Sequence, residues 1–121
     1  MSFLVLLTED DPEAWGRATE AERDAVMEAH EAFDRAVRER GAVLGGEALA
    51  GTETARTLRT LGGVRQVVDG PYAETVEQLG GFYVIDVTDM DAALDLCRIL
   101  PESYTIEVRP VIQIEGDDSG S

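Results

Sequence analysis

Cysteine, tryptophan and histidine each occur once in the 121 residues. A lone thiol, Cys97, cannot form an internal disulfide, so nothing indicates an oxidising compartment and the cytoplasm is the default expectation. One histidine and one cysteine cannot build a zinc site without several carboxylates, and the acidic residues show no calcium-type loop. No metal and no cofactor is therefore expected. No apolar run approaches the ~20 residues of a membrane helix. The opening "MSFLVLLTEDD" has no basic residue ahead of its short apolar run, which does not fit a secretory signal. A phosphate-binding glycine loop and a Gly-x-Ser-x-Gly elbow are both missing.

Positive charge is scarce as well. Ten basic residues stand against 25 acidic ones, for a net charge of −15. Such a surface repels a phosphate backbone and an anionic bilayer, so neither nucleic acid nor membrane is expected as a direct partner. The acidity favours solubility and is compatible with a salt-rich cytoplasm. A hydrophobic fraction of 44% is ordinary for a globular chain. The length suits one domain, expected over residues 1–115, and the small polar ending "EGDDSGS" predicts a flexible acidic tail over 116–121.

The apolar pattern is informative. "FLVLLT", residues 3–8, reads as a central strand. Asp11 before Pro12 can start a helical turn, and Trp15 reads as a hydrophobic lid. Thr19 and Glu22 have capping-box spacing and open a helix that runs to Arg40, with Gly41 ending it. Its apolar stripe is Val26, Ala29, Phe33 and Val37, and His30 lies within that arc. Residues 42–50 form a strand interrupted by Gly45-Gly46, which suggests a bulge or a close backbone approach. Strands near 55–61 and 64–69 meet at Gly62-Gly63 as a hairpin. "GGFYVIDV" is a further strand. Thr88 is expected to cap a helix over 89–99 that packs through Ala93, Leu94, Cys97 and Leu100, so Cys97 reads as a core residue rather than a nucleophile. Pro101 stops that helix. "YTIEVRPVIQI" is the last strand, with Tyr104, Ile106 and Val108 alternating against Thr105, Glu107 and Arg109.

These elements predict an α+β fold of the ferredoxin-like kind, order βαβββαβ, with an antiparallel sheet and two helices on one face. The opposite face is too apolar in places for plain solvent surface, yet carries Glu107 and Arg109. Pairing two such sheets would bury the apolar part around a partly polar interior, giving a homodimer.

Three segments carry a resemblance: "DGPYAET" at 69–75, "LGGFYVIDV" at 79–87 and "EVRPV" at 107–111. Together, in this order, they resemble the DGPF-domain proteins of the YCII-related family in the dimeric α+β barrel superfamily. The resemblance spans nearly the whole chain, to about Val111. Tyr72 stands where the family has Phe, and Val76 stands where it has Lys, which removes a cation from the loop. "ARTLR", residues 55–59, corresponds to the family's "ATTVR", with Arg59 kept. The resemblance implies a small-molecule-binding or regulatory homodimer, with an association to sigma-factor pathways. It also implies an alternative: a small cofactor-free lyase or isomerase on a small carboxylic acid, using a His/Asp acid–base pair. His30 falls where the YCII-type histidine falls, and Asp69 is the candidate partner.

Each candidate has two readings. His30 can act as a general base beside a carboxylate, or can be a hydrogen-bonded core residue on an apolar helix face. Asp69 can pair with it, or can close the Asp-Gly-Pro turn through backbone N–H groups. Gly70 and Pro71 shape the backbone. Glu74 and Thr75 can line a pocket mouth or cap a turn. Glu107 and Arg109 lie two apart on one strand face; Arg109 can hold a ligand carboxylate by its planar fork or simply pair with Glu107. Arg59 has the same two readings. Whether the chain is an enzyme stays open at this level.

Overall fold

The computed structural model describes residues 1–114; the tail expected over 116–121 lies outside the described residues. Along the chain run β1 (Ser2–Glu9), α1 (Ala14–Arg17), α2 (Glu20–Arg40), β2 (Ala42–Ala48), a 3-10 turn (Thr52–Thr54), β3 (Arg56–Leu61), β4 (Val64–Asp69), β5 (Gln78–Asp86), α3 (Met90–Cys97) and β6 (Tyr104–Pro110). Four strands form an antiparallel sheet in the order β2-β5-β1-β6. This is the ferredoxin-like βαββαβ arrangement, with β1 and β5 in the middle. The expected α+β class holds, with one strand more than the expected order counts. The extra pair, β3 and β4, makes a two-stranded sheet of its own.

Alternation along β1 sets the layers. Phe3, Val5 and Leu7 are buried while Leu4 and Leu6 are only half-buried. The buried set meets Ile85 from β5, Phe33 and Val37 from α2, and Ala93, Leu96 and Cys97 from α3 in one core. Both long helices therefore cover one face of the sheet. On the other face the register aligns Leu4 with Val84 and Leu6 with Phe82, flanked by Arg109 and Glu107 of β6.

Local chemistry explains the element ends. At the start of α2 the Thr19 hydroxyl accepts from the Glu22 amide at 3.1 Å, and the Glu22 carboxylate accepts from the Thr19 amide at 2.8 Å. The capping box is complete. Gly41 ends the helix for a different reason than a left-handed cap. Its φ is 175°, which any residue adopts, but a Cβ there would lie 1.8 Å from the Asp86 carbonyl oxygen. Gly62 and Gly63 carry φ of 58° and 81°, the mirror-type hairpin turn that joins β3 to β4.

Helix α3 corrects two expectations. Its cap is Asp89, whose carboxylate accepts from the Ala92 amide at 2.8 Å, not Thr88. Leu94 is 44% exposed, and Leu96 takes its place in the core. At ~100° per residue, positions 93, 96, 97 and 100 share a face that 94 does not.

Candidate functional site

The inward face of the sheet changes character toward one end. Next to Val5 the register places Tyr83, and next to Leu7 it places Gly81 and Ile106. Beyond Leu7 comes Glu9, beside Tyr104. On the outer side of β5, Gly46 pairs with Tyr83 and Ala48 with Gly81. Small residues thus replace core side chains just where α2 passes overhead with Val26, Met27 and His30. The result is an open cavity of about 510 Å³, lined by these residues together with Trp15, Glu47, Leu49, Gly80 and Phe82. A second recess of about 240 Å³ shares Glu9, Trp15, Val26 and Tyr104 with it.

Two glycines make this geometry. The chain pairing slips between Leu7 and Thr8, so Gly80 bulges out of register. A Cβ on Gly80 would lie 2.7 Å from the Glu9 carboxyl carbon, so the missing side chain is where Glu9 sits. A Cβ on Gly46 would lie 2.8 Å from the Tyr83 ring, so that ring rests against bare backbone. The interruption expected at Gly45-Gly46 therefore has both causes, because the β2–β5 register also slips between Val43 and Gly45.

His30 is the centre of the polar cluster. Its Nδ1 lies 2.6 Å from the Tyr83 hydroxyl and its Nε2 lies 3.1 Å from the Tyr104 hydroxyl. The ring meets Tyr104 edge-on at 5.7 Å between centroids, and Tyr83 packs on Phe33 at 4.7 Å. Burial pushes the imidazole below its ordinary pKa, favouring the neutral ring. Burial likewise raises both phenols. Nearby charge adds to this: Tyr104 and Asp34 act on Tyr83, and Glu9 acts on Tyr104. Desolvation also raises the Glu9 carboxyl. Trp15, on the single turn of α1, borders both recesses. Its carbonyl accepts from Arg23 Nε and Nη2 at 3.0 and 2.8 Å, and the guanidinium lies 5.3 Å from the indole centroid.

The other residues singled out from the sequence lie elsewhere. Asp69 ends β4 on the separate hairpin, is highly exposed, and pairs with Arg56 at 3.1 Å. The chain does not bring it to His30, whose ring nitrogens both meet tyrosines. Arg59 donates to the Tyr72 carbonyl at 2.7 Å and lies 5.2 Å from its ring centroid. Thr57 donates to the Gly70 carbonyl at 2.7 Å, and Gly70 itself has φ 102°. The "ARTLR" and "DGPY" segments thus grip each other, and Arg59 and Asp69 are engaged in that grip. Glu74 is exposed on the following loop, where the Thr75 hydroxyl donates to the Glu77 carbonyl. Arg109 and Glu107 pair at 3.8 Å on the opposite face of the sheet.

Tyr83, Tyr104 and Glu9 were not singled out from the sequence as site residues. A signal for them exists. Each continues an inward-facing alternation of aliphatic residues with a polar-tipped one, and a buried tyrosine hydroxyl requires a partner. His30 is the only polar residue within the facing helix stripe.

Among the described residues, no three His, Cys, Asp or Glu side chains converge as a metal-holding group. Nor is any helix long and apolar enough to cross a membrane. No arginine lines the cavity, and arginine is the chain's only basic residue type besides His30. Its polar equipment is one neutral imidazole, two phenols and the Glu9 carboxyl group, suited to hydrogen bonding and proton exchange with an uncharged guest.

An uncharacterized protein of Rhizobium meliloti (strain 1021) is 39% identical over 117 residues, covering 92% of each chain. The model of the YCII-related domain matches residues 1–115. The chain belongs to the YCII-related family.

Proposed function

We propose that this chain binds a small, uncharged organic molecule in the cavity bounded by His30, Tyr83 and Tyr104. The observation that carries the reading is the lining itself: three linked hydrogen-bonding groups in a largely apolar recess, with one carboxyl group, Glu9, and no cation. A ligand carboxylate would meet Glu9 without a charge partner. The alternative of an acid-specific enzyme with a His30–Asp69 pair has less support, because Asp69 is held by Arg56 while Arg59 and Arg109 lie away from the cavity.

A thermal-shift comparison of neutral compounds and small carboxylic acids tests this. Ligand at 100-fold its Kd adds about 2.7 kcal/mol to the native state. Neutral compounds should raise the melting temperature of the wild type, and His30→Gln should reduce the shift. Stabilisation confined to carboxylic acids would favour the alternative.

The active unit in this reading is a homodimer. Leu4, Leu6, Phe82 and Val84 form an apolar band on the sheet face away from the helices, edged by Glu107 and Arg109. A second copy of that face would cover it. Sedimentation equilibrium should give a dimer for the wild type and a monomer for Leu6→Glu; a monomeric wild type contradicts it.

A further inference from the structure

We propose that Tyr83, His30 and Tyr104 form a neutral proton relay that enolises an uncharged ketone held in the cavity. The inference rests on the cavity being a binding site for a neutral molecule, and it adds a reaction and a substrate class.

The relay follows from hydrogen-bond counting. A neutral imidazole carries one N–H and one lone pair. With a tyrosine hydroxyl on each ring nitrogen, one tyrosine must donate its proton to the ring. The other accepts the ring N–H and keeps its own O–H proton for the cavity. The guest therefore meets one oxygen with free lone pairs and one hydroxyl donor, joined through a single ring. Switching tautomer exchanges the two roles without any change in charge.

Glu9 sets the direction. It is the cross-strand neighbour of Tyr104, and a carboxylate there favours a hydroxyl that points its proton away from the ring. Nε2 then carries the ring proton, Tyr104 is the donor to the guest, and Tyr83 gives its proton to Nδ1 and receives one from the guest. The raised phenol pKa values keep both tyrosines protonated, so neither acts as a phenolate.

The step balances. The proton on the carbon next to the carbonyl passes to Tyr83 Oη as the Tyr83 proton passes to His30 Nδ1. The Nε2 proton passes to Tyr104 Oη as the Tyr104 proton passes to the carbonyl oxygen. The C–H electron pair becomes the C=C bond, and the carbonyl π pair forms the new O–H bond. The relay ends as the opposite tautomer, and reversal restores it. No enolate charge develops, which suits a site with no cation to stabilise one. An anionic substrate would again meet Glu9.

The test uses cyclohexanone, acetophenone and acetylacetone in deuterated water. Binding is read by chemical-shift changes of the protein, and deuterium entry at the carbon beside the carbonyl is read by proton NMR of the probe. General acid–base catalysis contributes typically about 100-fold or more. The wild type should accelerate exchange by about that factor over buffer. Tyr83→Phe, Tyr104→Phe and His30→Gln should each return exchange to the buffer rate even when the probe is raised until the variant is as fully occupied as the wild type, with circular dichroism confirming folding. A purely structural role for these residues would leave the exchange rate with the bound fraction. Probe binding without accelerated exchange, or Phe variants that exchange as fast as the wild type, overturns the relay and leaves the binding site standing. Failure of every probe to shift the protein overturns both.

Discussion

His30 Nδ1 lies 2.6 Å from the Tyr83 hydroxyl, a contact that joins the middle of α2 to the centre of the sheet. In the assigned tautomer that hydroxyl donates to the neutral ring. Tyr83→Phe keeps the ring packing on Phe33 and removes only the bond, so it should cost about 1 kcal/mol of stability by urea denaturation. It should also raise the His30 pKa, because the neutral ring loses a donor. An unchanged titration would contradict the assignment.

Two groups at the cavity give opposite pH dependences. His30 has a folded pKa below its ordinary 6.5. Between those values the unfolded chain binds the extra proton, so stability falls as pH falls from about 6.5 through the folded value. Glu9 has a folded pKa above its ordinary 4.5. There the folded chain holds the extra proton, so stability falls as pH rises from about 4.5 through the raised value. Denaturation midpoints across this range should lose the first slope in His30→Gln and the second in Glu9→Gln.

Cys97 is buried and its thiol is pushed up to about 11. The thiolate is the reactive form, so a thiol reagent at pH 8 should label the native protein slowly and the urea-unfolded protein at once. Fast native labelling would place the thiol outside the core.

The capping box of α2 satisfies two backbone N–H groups at once. Thr19→Ala should lower stability by about 1 kcal/mol, measured by chemical denaturation.

The β3–β4 sheet stands apart from the main sheet and is held at its exit by Arg56, Thr57 and Arg59. Arg59→Ala should speed hydrogen exchange of the hairpin amides while exchange in β1 and β5 keeps its rate. Equal acceleration throughout would show that the hairpin unfolds only with the whole domain.

What could be read from the sequence was local. Thr19–Glu22, Gly62-Gly63 and the Phe33–Val37 stripe each encode their structure within a few residues, and they fix enough elements to reach the fold class. The cavity is not local. Tyr83 and Tyr104 meet His30 across 53 and 74 residues, and only the sheet register puts them there. Residue type and family resemblance suggest Asp69 as a partner for His30, whereas the register sets Arg56 directly across the hairpin from Asp69. Gly80 reads simply as the start of the strand "GGFYVIDV", and the side chain it admits, Glu9, becomes apparent only when the bulge opposite Leu7 and Thr8 is known.

The chain's single histidine makes the central claim directly measurable. Nitrogen NMR of the labelled imidazole, followed with pH, reports both its charge and its tautomer. The account predicts one neutral ring protonated at Nε2, titrating below 6.5. A ring that is half-protonated at or above that value would contradict a neutral histidine held between Tyr83 and Tyr104, and one that averages between tautomers as free imidazole does would contradict the assigned direction of the relay.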